Sequence, residues 1–294
     1  MQARNPEAPG YQEASAVFVV ERHRVAPKPR RVAALECGRI AHRAIAGSEG
    51  GTVCAVFRRS CYVAFASGAL VCLGDRSIGR GPLNARLARF EEARLGDRLT
   101  IGVTRARLWR PEQVPGPPLR AALDALRAAA CGRTPAQGLG GRIAGLASPL
   151  VAHAGAALEA LDRWLAGARL DDEFDALLGL GPGLTPSGDD YLGGVLVSLR
   201  AFGRAHDADT LWAAVAPQLG ARTSRISAAH LAAAAEGEAH ESLHACLSAL
   251  AEGKVSGWRA RLDRIASLGH CSGWDGLAGA LAVAARVEWN GGNG

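Results

Sequence analysis

Asp189 and Asp190 stand side by side after a turn rich in glycine and proline, Gly179-Leu180-Gly181-Pro182-Gly183-Leu184-Thr185-Pro186-Ser187-Gly188. Neighbouring carboxylates could cap a helix, hold a cation such as magnesium, or move a proton. Gly181, Gly183 and Gly188 permit backbone conformations and close ligand approach that a Cβ forbids. Thr185 and Ser187 place hydroxyls beside the unpaired N–H groups of a helix start, where an anion is favoured. The turn therefore reads as a site for a small anionic substrate, with Asp189 and Asp190 as catalytic groups or magnesium ligands. A plainer alternative makes Ser187 or Asp189 an N-cap and the glycines hinges. That accounts for one hydroxyl and one carboxylate, but not for the whole set. No Gly-Lys-Ser/Thr follows, and Gly179, Gly181 and Gly183 do not fall in Gly-x-Gly-x-x-Gly order, so no nucleotide is implied.

Further constellations have a related form. Arg222, Thr223, Ser224 and Arg225 precede an apolar helical run. Two guanidinium forks, two hydroxyls and a helix start would suit a phosphate or carboxylate; the alternative is a capped helix with two solvated arginines. In Leu268-Gly269-His270-Cys271-Ser272-Gly273-Trp274-Asp275, His270 could act as acid, base or carbonyl polariser. Asp275 could orient it or cap a helix, and Ser272 would join the anion ligands. Cys271 lacks the setting of a nucleophile. Gly79-Arg80-Gly81-Pro82-Leu83-Asn84 reads as a corner with a smaller claim to function, and Glu236 as a further acid or a solvated helix end. His230, His240 and His244 have helical spacing but no metalloprotease order, so zinc is not indicated.

The elements that must hold these groups divide into two kinds. Short apolar or β-branched runs at 53–57, 61–66, 69–73 and 99–103, separated by turn residues, predict strands. Residues 35–46 predict one short helix. After four prolines in 111–118, the periodicity predicts helices at 119–130, 149–166, 191–202, 210–219, 226–235, 240–251, 258–265 and 277–287. The expected class is α+β: a disordered tail over 1–15, a small β-rich domain over 16–110 (an antiparallel sheet or barrel), a stiff linker over 111–118 and a mostly helical domain over 119–294. No internal repeat is evident.

The 294 residues carry a net charge of +6, but nearly all the basic residues are scattered arginines. Without a basic block or interleaved aromatics, nucleic acid is not an expected partner. The seven cysteines form no Cys-x-x-Cys pair, which argues against zinc and disulfide frameworks. The start of the chain lacks an apolar signal core and no apolar run would span a bilayer, so a cytoplasmic protein without membrane association is expected. The alanine- and glycine-rich helices would suit a homodimer.

The chain resembles the AllH-like family, most strongly through Gly181-Pro182-Gly183-Leu184-Thr185-Pro186-Ser187-Gly188-Asp189-Asp190. Arg222-Thr223-Ser224-Arg225-Ile226-Ser227 and Gly269-His270-Cys271-Ser272-Gly273-Trp274-Asp275 also resemble its signatures, and Gly81-Pro82-Leu83-Asn84 does so more weakly. The resemblance implies a subunit of an oxamate carbamoyltransferase acting with two further, unrelated subunits in allantoin or purine nitrogen catabolism. That reaction converts carbamoyl phosphate and oxamate to oxalurate and phosphate, all small anions. A non-catalytic sensing or scaffold subunit is the competing expectation.

Overall fold

The computed structural model describes residues 29–287, so the expected tail over 1–15 lies outside the described residues. Eight strands form one mixed sheet: β1 (Arg30–Ala33), β2 (Glu36–Gly38), β3 (Gly51–Val56), β4 (Ser60–Phe65), β5 (Leu70–Gly74), β6 (Asn84–Arg86), β7 (Arg98–Gly102) and β8 (Arg107–Trp109), ordered β1-β7-β3-β4-β5-β6-β2-β8. The antiparallel sheet or barrel expected from the sequence is a mixed sheet instead, because β1–β7, β2–β8 and β5–β6 pair in parallel. The expected helix over 35–46 starts only at α1 (Arg39–Ala46). Its first part is β2, held as a strand by ladders to β6 and β8.

Strand β4 alternates as a half-buried strand should. Cys61, Val63 and Phe65 enter a small core with Val53, Leu73, Leu99 and Ile101, which α1 covers through Ala41 and Ile45. Tyr62 takes the other face and reaches a helix of the second half. Every residue of β5 is buried, as expected of a strand covered on both faces.

Residues 111–118 carry no regular structure. Beyond them come α2 (Arg120–Ala130), α3 (Pro149–His153), α4 (Gly155–Leu165), α5 (Ser187–Ala201), α6 (Ala205–Val215), α7 (Leu219–Arg222), α8 (Arg225–Ala235), α9 (Glu241–Ala251), α10 (Trp258–Ala266) and α11 (Ser272–Ala284). The helix expected over 149–166 is two, interrupted at Ala154. Helices α5 and α11 begin several residues before the expected 191 and 277, so the three motif carboxylates, Asp189, Asp190 and Asp275, lie within first turns. The α+β class holds, with a large helical core centred on Tyr191, Leu192, Leu196, Leu277 and Leu281.

Helices α5 and α11 touch backbone to backbone. A Cβ on Gly194 would stand 1.9 Å from the Gly276 carbonyl oxygen, and one on Gly279 would stand 1.9 Å from that of Tyr191. Ser198 Oγ donates across the same seam to the Ala280 carbonyl at 3.0 Å. Gly279→Ala is therefore expected to cost about 3 kcal/mol in urea denaturation, by forcing the helices apart. A loss under about 1 kcal/mol would show that the seam yields freely. The pair also reveals a short repeat that the sequence reading passed over. Ser187-Gly188-Asp189-Asp190-Tyr191-Leu192-Gly193-Gly194 corresponds to Ser272-Gly273-Trp274-Asp275-Gly276-Leu277-Ala278-Gly279.

Candidate functional site

A cavity of about 620 Å³ lies between the outer face of the sheet and the starts of α5, α8, α9 and α11. Tyr62 and Cys72 form part of its sheet wall; Thr185, Asp189, Asp190, Ser227, His230 and Ser272 belong to its helical wall. A second cavity, about 450 Å³ and lined by Arg127 and Arg142, offers no carboxylate, and its Arg142 is already paired with Asp162.

The adjacent carboxylates have separate tasks because successive helical side chains diverge by about 100°. Asp189 is 1% exposed. Its Oδ1 accepts from Gly179 N at 2.7 Å, while Oδ2 accepts from Thr223 Oγ1 and from Ser227 Oγ at 2.6 Å. It ties the glycine turn to the start of α8. Asp190 lines the cavity, and its Oδ2 is buried with no hydrogen-bond partner. Burial pushes its carboxyl up to about 8, the charges of Asp275 and Asp189 add to the rise, and the Ser272 and Thr185 hydroxyls oppose it. A carboxyl tuned there can exchange a proton near neutrality. Thr185 Oγ1 and Ser272 Oγ lie 3.0 Å apart beside it.

The magnesium expectation for the pair does not fit this arrangement. Both Asp189 oxygens are taken by protein donors, and no cluster of three or more His, Cys, Asp or Glu suited to a metal occurs among the described residues.

The remaining residues of the turn mostly build the frame. Gly188 is required by contact, since a Cβ would meet the Leu177 carbonyl oxygen at 1.9 Å. Gly181 has φ +109° and passes against Ser187; Gly183, at φ +95°, is exposed. Ser187 is buried. Ser224 Oγ caps α8 by accepting from Ser227 N at 3.0 Å and donates to the Leu184 carbonyl.

Several sequence-derived candidates stand elsewhere. Arg222 binds the Asp175 carbonyl at 2.9 Å and Gln218 Oε1 at 3.2 Å, and Arg225 is exposed; neither lines the cavity. His270 is exposed against Gln137 and is also outside it. Asp275, 0% exposed, accepts through Oδ1 from Leu139 N at 2.6 Å and Gly140 N at 2.9 Å. Burial lifts its carboxyl to about 6, with the Ser187 hydroxyl and those two amides opposing.

Residues 177–284 match the family model of oxamate carbamoyltransferase subunit AllH. No curated protein and no solved structure matches the chain. The AllH-matched segment runs from just before the glycine turn to the last residue of α11, so it contains the whole helix pair and Asp190. Among the described residues, no helix is long and apolar enough to cross a membrane.

Other groups around the cavity escaped the sequence reading. Tyr62 Oη and His230 Nε2 are 2.8 Å apart, joining the sheet to the AllH-matched helices. Burial lowers His230 to about 4, with His240 adding to the shift, so its ring is neutral at pH 7. Glu238 also lines the cavity with a buried, unpartnered Oε2, its other oxygen being held by Arg39. Glu236 is occupied by Arg39 and Arg43, so it belongs to a bridge between the halves. Arg80 makes a second bridge, to Glu36 at 2.9 Å and Glu241 at 3.2 Å. The spacing of His230 from the neighbouring histidines speaks only to zinc, and nothing local in the sequence marks Tyr62 or Glu238.

Burial also lowers His244 to about 4, and its Nε2 accepts from Ala239 N at 3.0 Å. Both lowered histidines contribute stability that is present above the unfolded value of 6.5 and lost as pH falls towards about 4. The His230→Gln/His244→Gln protein is therefore expected to lose less Tm than the wild type between pH 7 and pH 4.5. Equal losses would show that these rings do not titrate as described.

Proposed function

We propose that this chain is a subunit of a carbamoyl-transfer enzyme of the oxamate carbamoyltransferase type, and that its cavity holds the carbamoyl acceptor. The reading rests chiefly on one coincidence: the AllH-matched segment is the segment that delivers Asp190, with an unpartnered oxygen, into the cavity. The setting would be cytoplasmic allantoin or purine nitrogen catabolism, with two further subunits as partners.

In this reading the acceptor's amide nitrogen bonds to the carbamoyl carbon, the C–O bond to phosphate breaks, and ionised Asp190 takes the nitrogen's proton. Thr185 and Ser272 supply hydroxyls to the oxygen on which charge develops. Asp189 and Asp275 position the helix starts and do not touch the reacting atoms. The arginines lining the cavity are Arg76 and Arg264, both exposed. They suit a phosphate at its margin, whereas its interior carries Asp190, Glu238 and a neutral His230. That distribution favours a shared site, in which a partner subunit grips most of the carbamoyl phosphate and this chain receives the acceptor.

The test is oxamate-dependent phosphate release from carbamoyl phosphate by the chain assembled with its two partner subunits. Activity that needs all three chains is expected. Full transfer by the partners alone would leave this chain a scaffold or sensor and overturn the assignment.

A further inference from the structure

The mouth of the cavity differs in composition from its interior. Six of the residues that line the cavity are exposed: Phe57, Arg76 and Ser77 from the sheet half, and Arg264, Ser267 and Gly269 from the helical half. None of them is acidic, whereas the interior holds Asp190 and Glu238. Beside Phe57 the whole tip of the β3–β4 hairpin stands in solvent. Val56 and Phe57 are each 41% exposed, and Arg58 and Arg59 are exposed next to them.

Little within the chain competes for these groups. The side chains of Arg58, Arg76 and Arg264 have no ion pair or hydrogen bond among the described residues. Arg59 Nε donates to Ser77 Oγ at 2.9 Å, which ties the hairpin tip to the turn at 76–78. The acids adjacent in sequence are engaged: Asp75 Oδ1 accepts from Ser77 N at 2.8 Å, and Asp263 pairs with Arg133. The Phe57 ring meets Tyr62 edge-on, with centroids 6.0 Å apart, yet stays partly in water. Arginine and an aromatic ring, with lysine and free acids absent, match the make-up of protein–protein contacts. Charge then selects the occupant. In a twofold contact between copies the same arginines would face one another, which disfavours a second copy of this chain. A carboxylate-bearing surface is the complementary one.

We infer that the mouth is a docking surface for an acidic segment of a partner subunit. An apolar side chain of that segment seats on Val56 and Phe57, and its carboxylates meet Arg58, Arg76 and Arg264. The inference deepens the proposed function, on which it rests for the partner's identity: the subunit that supplies the carbamoyl group enters here. Docking closes the opening between the two halves, so the end of the cavity that holds Asp190 is sealed from water.

Sedimentation velocity of the full chain with its two partner subunits, at low and high sodium chloride, tests this. Phe57→Ser and Arg58→Glu are each expected to weaken assembly at least about tenfold. Added salt should weaken the wild-type assembly as well. Arg58 is exposed and unpaired, so its variant should keep the wild-type Tm. Arg31→Glu/Arg98→Glu, at exposed positions of β1 and β7, should leave assembly intact. Assembly that ignores the mouth variants, or that weakens equally in the Arg31/Arg98 variant, would overturn the inference. So would a dimer of the chain alone that Arg58→Glu dissolves, since a second copy would then hold this face. If the wild-type chain joins neither subunit, the proposed function fails, and a hexaglutamate peptide ending in phenylalanine decides the docking surface separately. Binding of that peptide to the chain alone, abolished by Phe57→Ser and by Arg58→Glu, sustains it; no such binding overturns it. Assembly through the mouth without carbamoyl transfer would sink the proposed reaction alone.

Discussion

Asp190→Asn is expected to lower oxamate-dependent phosphate release by the assembled enzyme about 10²- to 10⁴-fold, the usual span for losing a general base, while making the chain more stable at neutral pH. Both effects have one cause. One carboxyl oxygen is buried without a partner, and burial raises the group to about 8 from its ordinary 3.8. A raised carboxyl favours folding fully below the unfolded value, and that benefit is lost as pH rises through the folded one. Near pH 4 the wild type and the asparagine variant should therefore unfold at similar urea midpoints. By pH 8 the unfolded chain has long released this proton, while the folded wild type either retains it or carries a buried charge, so the variant should be ahead by on the order of a few kcal/mol. Activity within tenfold of wild type would remove Asp190 from the chemistry. A stability gap that failed to widen between pH 4 and 8 would show that the acid is satisfied in the folded state.

The neighbouring residue should behave in the opposite way. Asp189→Ala is expected to cost about 3–5 kcal/mol, because it deletes the buried acceptor of three donors, part-buried Gly179 N and Thr223 and buried Ser227, and leaves them without it. The glycine turn should loosen from α8, with faster amide exchange at Gly179 as the local sign. Asp189→Asn retains one acceptor oxygen and should fall between the two. Denaturant midpoints decide this, and a loss under about 1 kcal/mol for the alanine variant would mean that the turn is held by other contacts. Two substitutions one residue apart thus separate a frame residue from a chemical one.

That division was partly legible in the chain. Adjacent positions on a helix cannot face the same way, so one member of the pair was bound to differ from its neighbour; which one entered the cavity depended on α8, whose approach no local pattern encodes. The strands at β3, β4, β5 and β7 were readable from their apolar runs, whereas β2, β6 and β8 are three residues each and exist through their partners. The helix starts were placed late because glycine, serine and aspartate look like turn residues until their contacts are known. Arg222 reads from the sequence as a fork for a phosphate or carboxylate, but the oxygens it meets are the Asp175 carbonyl and Gln218. His230, Tyr62 and Glu238 come together only because the sheet folds against the helices, a meeting across well over a hundred residues of sequence.

The two walls of the cavity differ in how freely they can change. Along the α5–α11 seam, backbone meets backbone without an intervening side chain, so the spacing of the two acids is set by main-chain contact. A substitution there alters the whole helix crossing. The facing wall presents Tyr62 from β4, whose backbone stays paired with Cys72 whatever its side chain, and Phe57 and Ile78 from neighbouring turns. Descendants of such a protein could therefore adopt new molecules by revising the sheet alone. The helix pair and the acids on it would pass unaltered from one occupant to the next.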